Sequence, residues 1–142
     1  MKLNSRVRGI IIRDKKILLI HRIKDGREYY SIPGGGIEED ETSDEAIVRE
    51  IKEETNINVE KYSELFNYKW FDSEKDETKD FTYYLIEKYY CDEIKLGSPE
   101  TERHCEENQY ILEWHDFEKF FDLPNYYQPE VIRRLKELVS IK

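Results

Sequence analysis

Residues 31–57 read SIPGGGIEEDETSDEAIVREIKEETNI, and this stretch decides how the rest of the chain is understood. Pro33 followed by Gly34, Gly35 and Gly36 ends a preceding strand sharply and offers backbone that a ligand can approach without a Cβ in the way. Thr42, with Glu45 three residues on, has the form of a capping box, in which each side chain satisfies the other's free backbone N–H. From Ser43 to Thr55 nothing breaks a helix, and Ala46, Ile47 and Ile51 give it one apolar face. Asn56 then stands where a left-handed residue closes the helix, a place in which Asn is second only to Gly.

On this helix Glu50, Glu53 and Glu54 sit at i, i+3 and i+4, so their side chains leave one side as neighbours. Like charges at that spacing destabilise a bare helix by roughly 0.2–0.5 kcal/mol per pair. Glu50 and Glu54 fall between Ala46 and Ile47/Ile51 on the helical wheel, beside the apolar stripe rather than opposite it. Anions next to apolar surface call for compensation, by cations or by protonation. Mg²⁺, usually held by a few carboxylates plus substrate phosphates, is the natural compensator. Each feature alone has a plainer reading. In a chain with 22 Glu the triplet is more often a solvated face, and a glycine run is more often a turn.

Upstream, Arg6–Ile12 and Lys16–Ile23 read as β-branched apolar strands forming a hairpin around Asp14-Lys15. Asp25-Gly26-Arg27 is a loop, and Glu28–Ile32 a short third strand. Downstream, residues 57–59, Leu65–Phe71 and Phe81–Tyr90 read as strands, with a charged loop over 72–80. Residues 93–108 form a long polar connection of the kind that carries function more often than not. Gln109–Trp114 reads as a last strand and residues 116–121 as a short helix. Residues 129–139 read as a closing amphipathic helix with Val131, Ile132, Leu135, Leu138 and Val139 inward. Strands interleaved with two substantial helices predict a single α/β domain over residues 1–142, a sandwich around a mixed β-sheet.

The bulk numbers narrow the partners. Aromatics at 13% favour order, and 142 residues suffice for one real core. The net charge of −9 is spread along the chain with no basic stripe, which argues against a long nucleic acid as partner. The apolar runs Ile10–Ile12 and Ile17–Ile20 are far too short to cross a bilayer, so no membrane role is expected. Cys91 and Cys105 do not make a disulfide framework, and a reducing, cytoplasmic setting is the expectation. His104 beside Cys105 lacks the second pair that zinc would need.

Taken together, the spacing says more than the parts. Gly35, five residues, Glu41, seven residues, then Arg49-Glu50-Ile51-Lys52-Glu53-Glu54-Thr55-Asn56-Ile57 closely resembles the Nudix hydrolase signature G-x5-E-x7-R-E-U-x-E-E-x-G-U, U being aliphatic. Eight of the nine specified positions match, the departure being Asn56 in place of Gly. The resemblance implies a Nudix-like α/β/α sandwich and a pyrophosphohydrolase dependent on Mg²⁺ or Mn²⁺. It would act on a small nucleoside diphosphate linked to a second group (ADP-ribose-like, a nucleotide sugar) or on a nucleoside triphosphate. It implies Glu50 and Glu54 as principal metal ligands, Glu53 as ligand or general base, and the Gly34 carbonyl as a further ligand. Gly35, Glu41 and Arg49 would have structural parts, with Arg49 orienting the glutamates. In several branches of the family the base comes from the loop before the last strand. Here that loop offers Glu100, Glu102, Glu106 and Glu107, with Glu107 favoured.

By charge and placement Arg22 and Arg27 are candidate phosphate-binding residues. Tyr68 and Trp70 could stack a base, although a packing role is the better reading. Other substrates of the same chemistry are dinucleoside polyphosphates and capped RNA ends. A different class is a non-catalytic nucleotide sensor, which typically loses box glutamates that are all present here. An isopentenyl diphosphate isomerase would need a catalytic Cys, and neither Cys91 nor Cys105 stands convincingly for it. A homodimer is an expectation at the level of the family only.

Overall fold

The computed structural model describes residues 2–95 and 105–139. Strands β1 (Lys2–Ile10), β2 (Ile12–Arg13), β3 (Lys16–Lys24), β4 (Arg27–Ser31) and β5 (Gly34–Gly36) precede helix α1 (Ser43–Thr55). Strands β6 (Asn58–Asp72), β7 (Glu77–Tyr90) and β8 (Asn108–Asp116) follow, then helices α2 (Phe117–Phe120) and α3 (Pro129–Leu138). One mixed sheet has the order β5-β1-β7-β6, with β1 and β7 parallel and the other pairs antiparallel. A second, antiparallel sheet is built on β3, with β8 along one edge and β2 and β4 sharing the other.

Strand alternation sends neighbouring residues to opposite faces, and here each face meets its own core. Val7, Ile11, Leu18, Tyr84 and Ile86 pack with Ala46, Ile47 and Ile51 of α1. Their neighbours Ile10, Ile17, Leu19 and Tyr83 pack with Phe117, Phe120, Val131 and Leu135 of α2 and α3. Helices thus cover both sides of the sheet strands, the α/β/α sandwich that the sequence predicts.

Helix α1 has the predicted bounds. Thr42 Oγ1 accepts from the Glu45 amide while Glu45 accepts from the Thr42 amide, closing the capping box. Asn56 takes the left-handed conformation at φ 67°, and its amide closes on the Lys52 carbonyl. Its side-chain amide also donates to the Glu93 carbonyl at 2.8 Å, tying the helix end to the following connection.

Four expectations change. The hairpin around Asp14-Lys15 exists, but only Ile12-Arg13 pairs with Lys16-Ile17. β1 instead runs parallel to β7 from Lys2 to Ile10, where residues on both faces of its C-terminal half are buried. Gly34–Gly36 is not merely a turn: Gly34, Gly35 and Gly36 pair with Arg8, Val7 and Arg6 as a strand. The stretches 57–59 and Leu65–Phe71 belong to one continuous strand, β6, whose irregularities lie between Val59 and Phe66. In α3 the line Val131, Leu135, Val139 takes the buried side at i+4 steps, which leaves Ile132 half-buried and Leu138 exposed.

Candidate active site

The glycine strand and the glutamate helix meet because neither has bulk to keep them apart. A Cβ on Gly35 would lie 2.5 Å from Glu50 Oε2, and one on Gly34, at φ +152°, would strike the Val7 carbonyl oxygen at 1.9 Å. At Gly34 the obstacle is backbone, which only glycine avoids; at Gly35 it is the end of the Glu50 side chain. Glu50 and Glu54 are consequently buried at 7% and 6% exposure, and the Gly34 amide donates to Glu54 Oε1 at 3.3 Å. Glu53 is half-buried beside them.

Arg49 organises this cluster. Its Nε and Nη2 donate to the two oxygens of Glu41 at 2.7 and 2.8 Å, a planar fork meeting a planar carboxylate. Nη1 donates to Glu50 Oε1 at 2.9 Å and to Glu53 Oε2 at 3.1 Å, while Nη2 also reaches the Gly36 carbonyl at 2.9 Å. Glu41 in turn accepts from the Glu38 amide, so the loop ahead of α1 is fastened to the helix through one guanidinium. The Arg49 hydrogen bonds hold the Glu41 carboxyl below its ordinary range, burial opposing them. The compensation that the glutamate triplet needs is therefore supplied in part by the chain itself. Among the described residues no group of three His, Cys, Asp or Glu side chains stands ready as a metal cage. The donors are nonetheless all carboxylate and backbone oxygens, and the glycine backbone against Glu50 leaves no Cβ between them. That set suits a hard divalent ion that keeps several ligands from water and substrate.

These groups line one side of a cleft of about 430 Å³, reached by Arg6 and Arg8 of β1 as well. The facing wall comes from the second sheet through Arg22, Tyr29 and Tyr110, with Tyr126 at the boundary. Arg22 is buried at 7% exposure; its guanidinium donates to Asn108 Oδ1 and lies 3.7 Å from the Tyr110 ring centroid. Arg8, also 7% exposed, donates through Nη2 to the Tyr126 hydroxyl at 3.2 Å. Four arginines and four glutamates line the cleft, so its formal charges balance, and a phosphate group would meet cationic donors on both walls.

Arg27 and Glu107 are not brought to this cleft. Arg27 shares the face of Tyr29 and Ser31 but lies two residues, about 7 Å, further out along β4. It lines a neighbouring groove with Tyr29 and Tyr126. Glu106 and Glu107 are exposed at the tip of a tight turn closed by reciprocal Cys105 and Asn108 backbone hydrogen bonds of 3.0 Å. Glu100, Glu102 and the Gly97-Ser98-Pro99 segment lie outside the described residues. Cys91 and Cys105 do not line the cleft. Tyr68 and Trp70 pack against the α2/α3 core. Sequence reasoning missed Arg6, Arg8, Tyr110 and Tyr126. Arg8 carried a signal, a charge between Val7 and Gly9 in an apolar strand; Tyr126 carried none.

An α/β/α sandwich thus frames a cleft with carboxylates and glycine backbone on one wall, Arg22 on the other and cationic donors on both. The sequence model of the NUDIX domain matches residues 3–136, and the chain belongs to that family. It is 52% identical over 52 residues to an ADP-ribose pyrophosphatase of Methanocaldococcus jannaschii, covering 36% of this chain and 31% of that protein. It is 42% identical over 55 residues to a MutT-like protein of Streptomyces ambofaciens, covering 38% of this chain and 34% of that protein. The matched stretch therefore spans about a third of each of these relatives. Over the whole fold, the chain resembles a MutT NUDIX hydrolase of Burkholderia pseudomallei, with a TM-score of 0.73 at 25% identity. That alignment covers 99% of this chain and 100% of the other.

Proposed function

We propose that the chain is a divalent-cation-dependent pyrophosphohydrolase of small nucleoside diphosphate compounds. Its substrate would be ADP-ribose-like, a nucleotide sugar or a nucleoside triphosphate. The observation that carries this reading is the pairing of buried Glu50 and Glu54 with glycine backbone on one wall and buried Arg22 on the other. The name of the Methanocaldococcus relative, an ADP-ribose pyrophosphatase, points the same way. Glu50, Glu54, Glu53 and the Gly34 carbonyl would hold Mg²⁺ or Mn²⁺, which when bound withdraws charge from the bridging phosphates and makes water a better nucleophile.

The chain's own groups do the rest. Arg22, fixed by Asn108 and Tyr110, binds a phosphate oxygen and aligns the anhydride across the cleft. Arg49 keeps Glu50 and Glu53 in place without touching substrate. Glu53, the least buried of the three, takes the proton of the attacking water as its oxygen bonds to phosphorus. The anhydride P–O bond then breaks, and a nucleoside monophosphate leaves with the second phosphate on the other product.

The test is release of nucleoside monophosphate from ADP-ribose, nucleotide sugars, dinucleotides and triphosphates, with Mg²⁺ and with chelator. Turnover that requires the cation and falls at least about a hundredfold in Glu53→Gln supports the reading. Nucleotide binding without turnover would make the domain a sensor, and full activity in Glu53→Gln would remove Glu53 from its role.

A further inference from the structure

Beyond Tyr29 and Tyr126 the cleft gives onto a second groove, of about 530 Å³, that the proposed hydrolytic chemistry does not use. The two rings border both spaces and meet edge to face at 5.4 Å, so they form a shared wall. The groove runs out between two hairpins. Arg27 comes from the β3–β4 hairpin and Lys75 from the β6–β7 hairpin, and Pro124 and Asn125 of the segment ahead of α3 complete the lining.

Strand register makes this rim basic. Arg22, the cleft arginine, stands opposite Tyr29, and Lys24 stands directly opposite Arg27. Residues two apart share a face, so Arg22, Lys24 and Arg27 fall on one side of the second sheet. Arg22 and Arg27 are diagonal neighbours, about 7–8 Å apart and within reach of long side chains. Like charges facing each other across a strand pair destabilise it. Lys24 and Arg27 nevertheless do so, and neither they nor Lys75 have an ion-pair partner among the described residues. Glu28 is the one carboxylate among the described lining residues, and its Oε1 is taken by His21. Asp72, at the base of the hairpin that carries Lys75, accepts from the amides of Glu74 and Lys75. The contrast with the cleft is one of charge. There four glutamates match four arginines, whereas here the cations stand unmatched in a chain of net charge −9.

We propose that this groove receives the further phosphates of a polyphosphate chain, so that the substrates include nucleoside compounds with more phosphates than the two held in the cleft. The anhydride that is cut lies between the glutamates and Arg22, and the next phosphates pass Tyr29 toward Arg27, Lys24 and Lys75. The inference rests on the proposed hydrolase reading, but its first test needs neither a nucleotide nor turnover. Isothermal titration calorimetry, with Mg²⁺ in excess throughout, compares inorganic pyrophosphate with linear inorganic tetraphosphate on the parent and on Arg27→Gln/Lys75→Gln. Both substitutions are at exposed positions, so the fold should be retained, and a thermal melt checks it.

Tetraphosphate should bind the parent more tightly than pyrophosphate. An exposed cation contributes about threefold, so the double variant should lose about tenfold in tetraphosphate affinity beyond any loss for pyrophosphate. The preference should shrink as salt is raised, because these charges are screened by ions in the solvent. In turnover, the ratio of kcat/KM for diadenosine tetraphosphate to that for ADP-ribose should fall by a similar factor, through KM rather than kcat. Equal affinity for the two anions in the parent, or a preference that survives in the double variant, would overturn the groove. Hydrolysis with an unmoved substrate ratio would sink the groove and leave the hydrolase standing. An anion preference lost in the double variant, without hydrolysis of any nucleotide, would support the groove and sink the hydrolase.

Discussion

Replacing Gly35 by alanine should separate catalysis from folding. The new methyl carbon would arrive 2.5 Å from Glu50 Oε2, 2.6 Å from Cδ and 2.7 Å from Oε1. Ordinary contact begins near 3.4 Å, so the carboxylate must retreat by about 0.9 Å. The obstructing atoms are the far end of a side chain rather than backbone, so the retreat is a rotamer adjustment and the strand stays paired. Thermal stability should fall by only a few degrees, equivalent to about 1 kcal/mol of adjustment strain. A displacement near 1 Å of a group that positions the reaction costs about a hundredfold in rate. The assay is kcat for nucleoside monophosphate release over a Mg²⁺ titration, beside a thermal melt of the same preparation. Gly34→Ala is the contrast, because its methyl would meet the Val7 carbonyl oxygen at 1.9 Å and should unfold the local pairing. If Gly35→Ala turned over within about threefold of the parent at every Mg²⁺ concentration, the placement of Glu50 would not matter as argued here.

Arg49→Lys should lose the fork onto Glu41 and cost about 1–2 kcal/mol by urea unfolding, discounted for partial exposure, with a larger Mg²⁺ requirement for activity. His21 places both ring nitrogens on carboxylates, Nδ1 at 2.9 Å from Glu113 and Nε2 at 2.6 Å from Glu28, with His115 and Tyr30 also against the cluster. Burial opposes its charge, but the hydrogen bonds to Glu113 and Glu28 raise its pKa above 6.5. Its stabilisation is therefore complete below 6.5 and lost as pH climbs through the higher folded value. The urea midpoint should drop across that window in the parent and stay level in His21→Gln. Asn56→Gly would relieve the left-handed φ of 67° but forfeit the bonds to Glu93 and Lys52, so stability should change by less than about 0.5 kcal/mol by the same unfolding assay.

What was legible in the chain was what local chemistry determines. Helix α1 could be bounded at both ends because Thr42, Glu45 and Asn56 act within a few residues of themselves. The partner of β1 could not, because its parallel pairing with β7 joins Lys2 to Glu77 and leaves no turn to announce it. The glycine run was read as a turn because glycine has little strand preference of its own; pairing with Arg6–Arg8 overrides that. The same divide runs through the site. Glu50, Glu53 and Glu54 become candidates once their helical spacing is joined to the resemblance of residues 35–57 to the Nudix signature, whereas the Arg8 contact to Tyr126 spans 118 positions and no periodicity links them. Arg27 and Glu107 had the right charge in the right neighbourhood of sequence, but hairpin and turn tips carry them away from the cleft.

Ile11 is the joint at which the chain passes from one sheet to the other: β1 ends at Ile10, β2 begins at Ile12, and the Ile11 carbonyl is held by the Leu18 amide. The glutamates ride with the first sheet and Arg22 with the second, so the two walls of the cleft are pages bound along one spine. A molecule gripped by both pages ties them together. Its arrival should be felt as slower amide exchange at Leu18, a buried position that does not line the cleft.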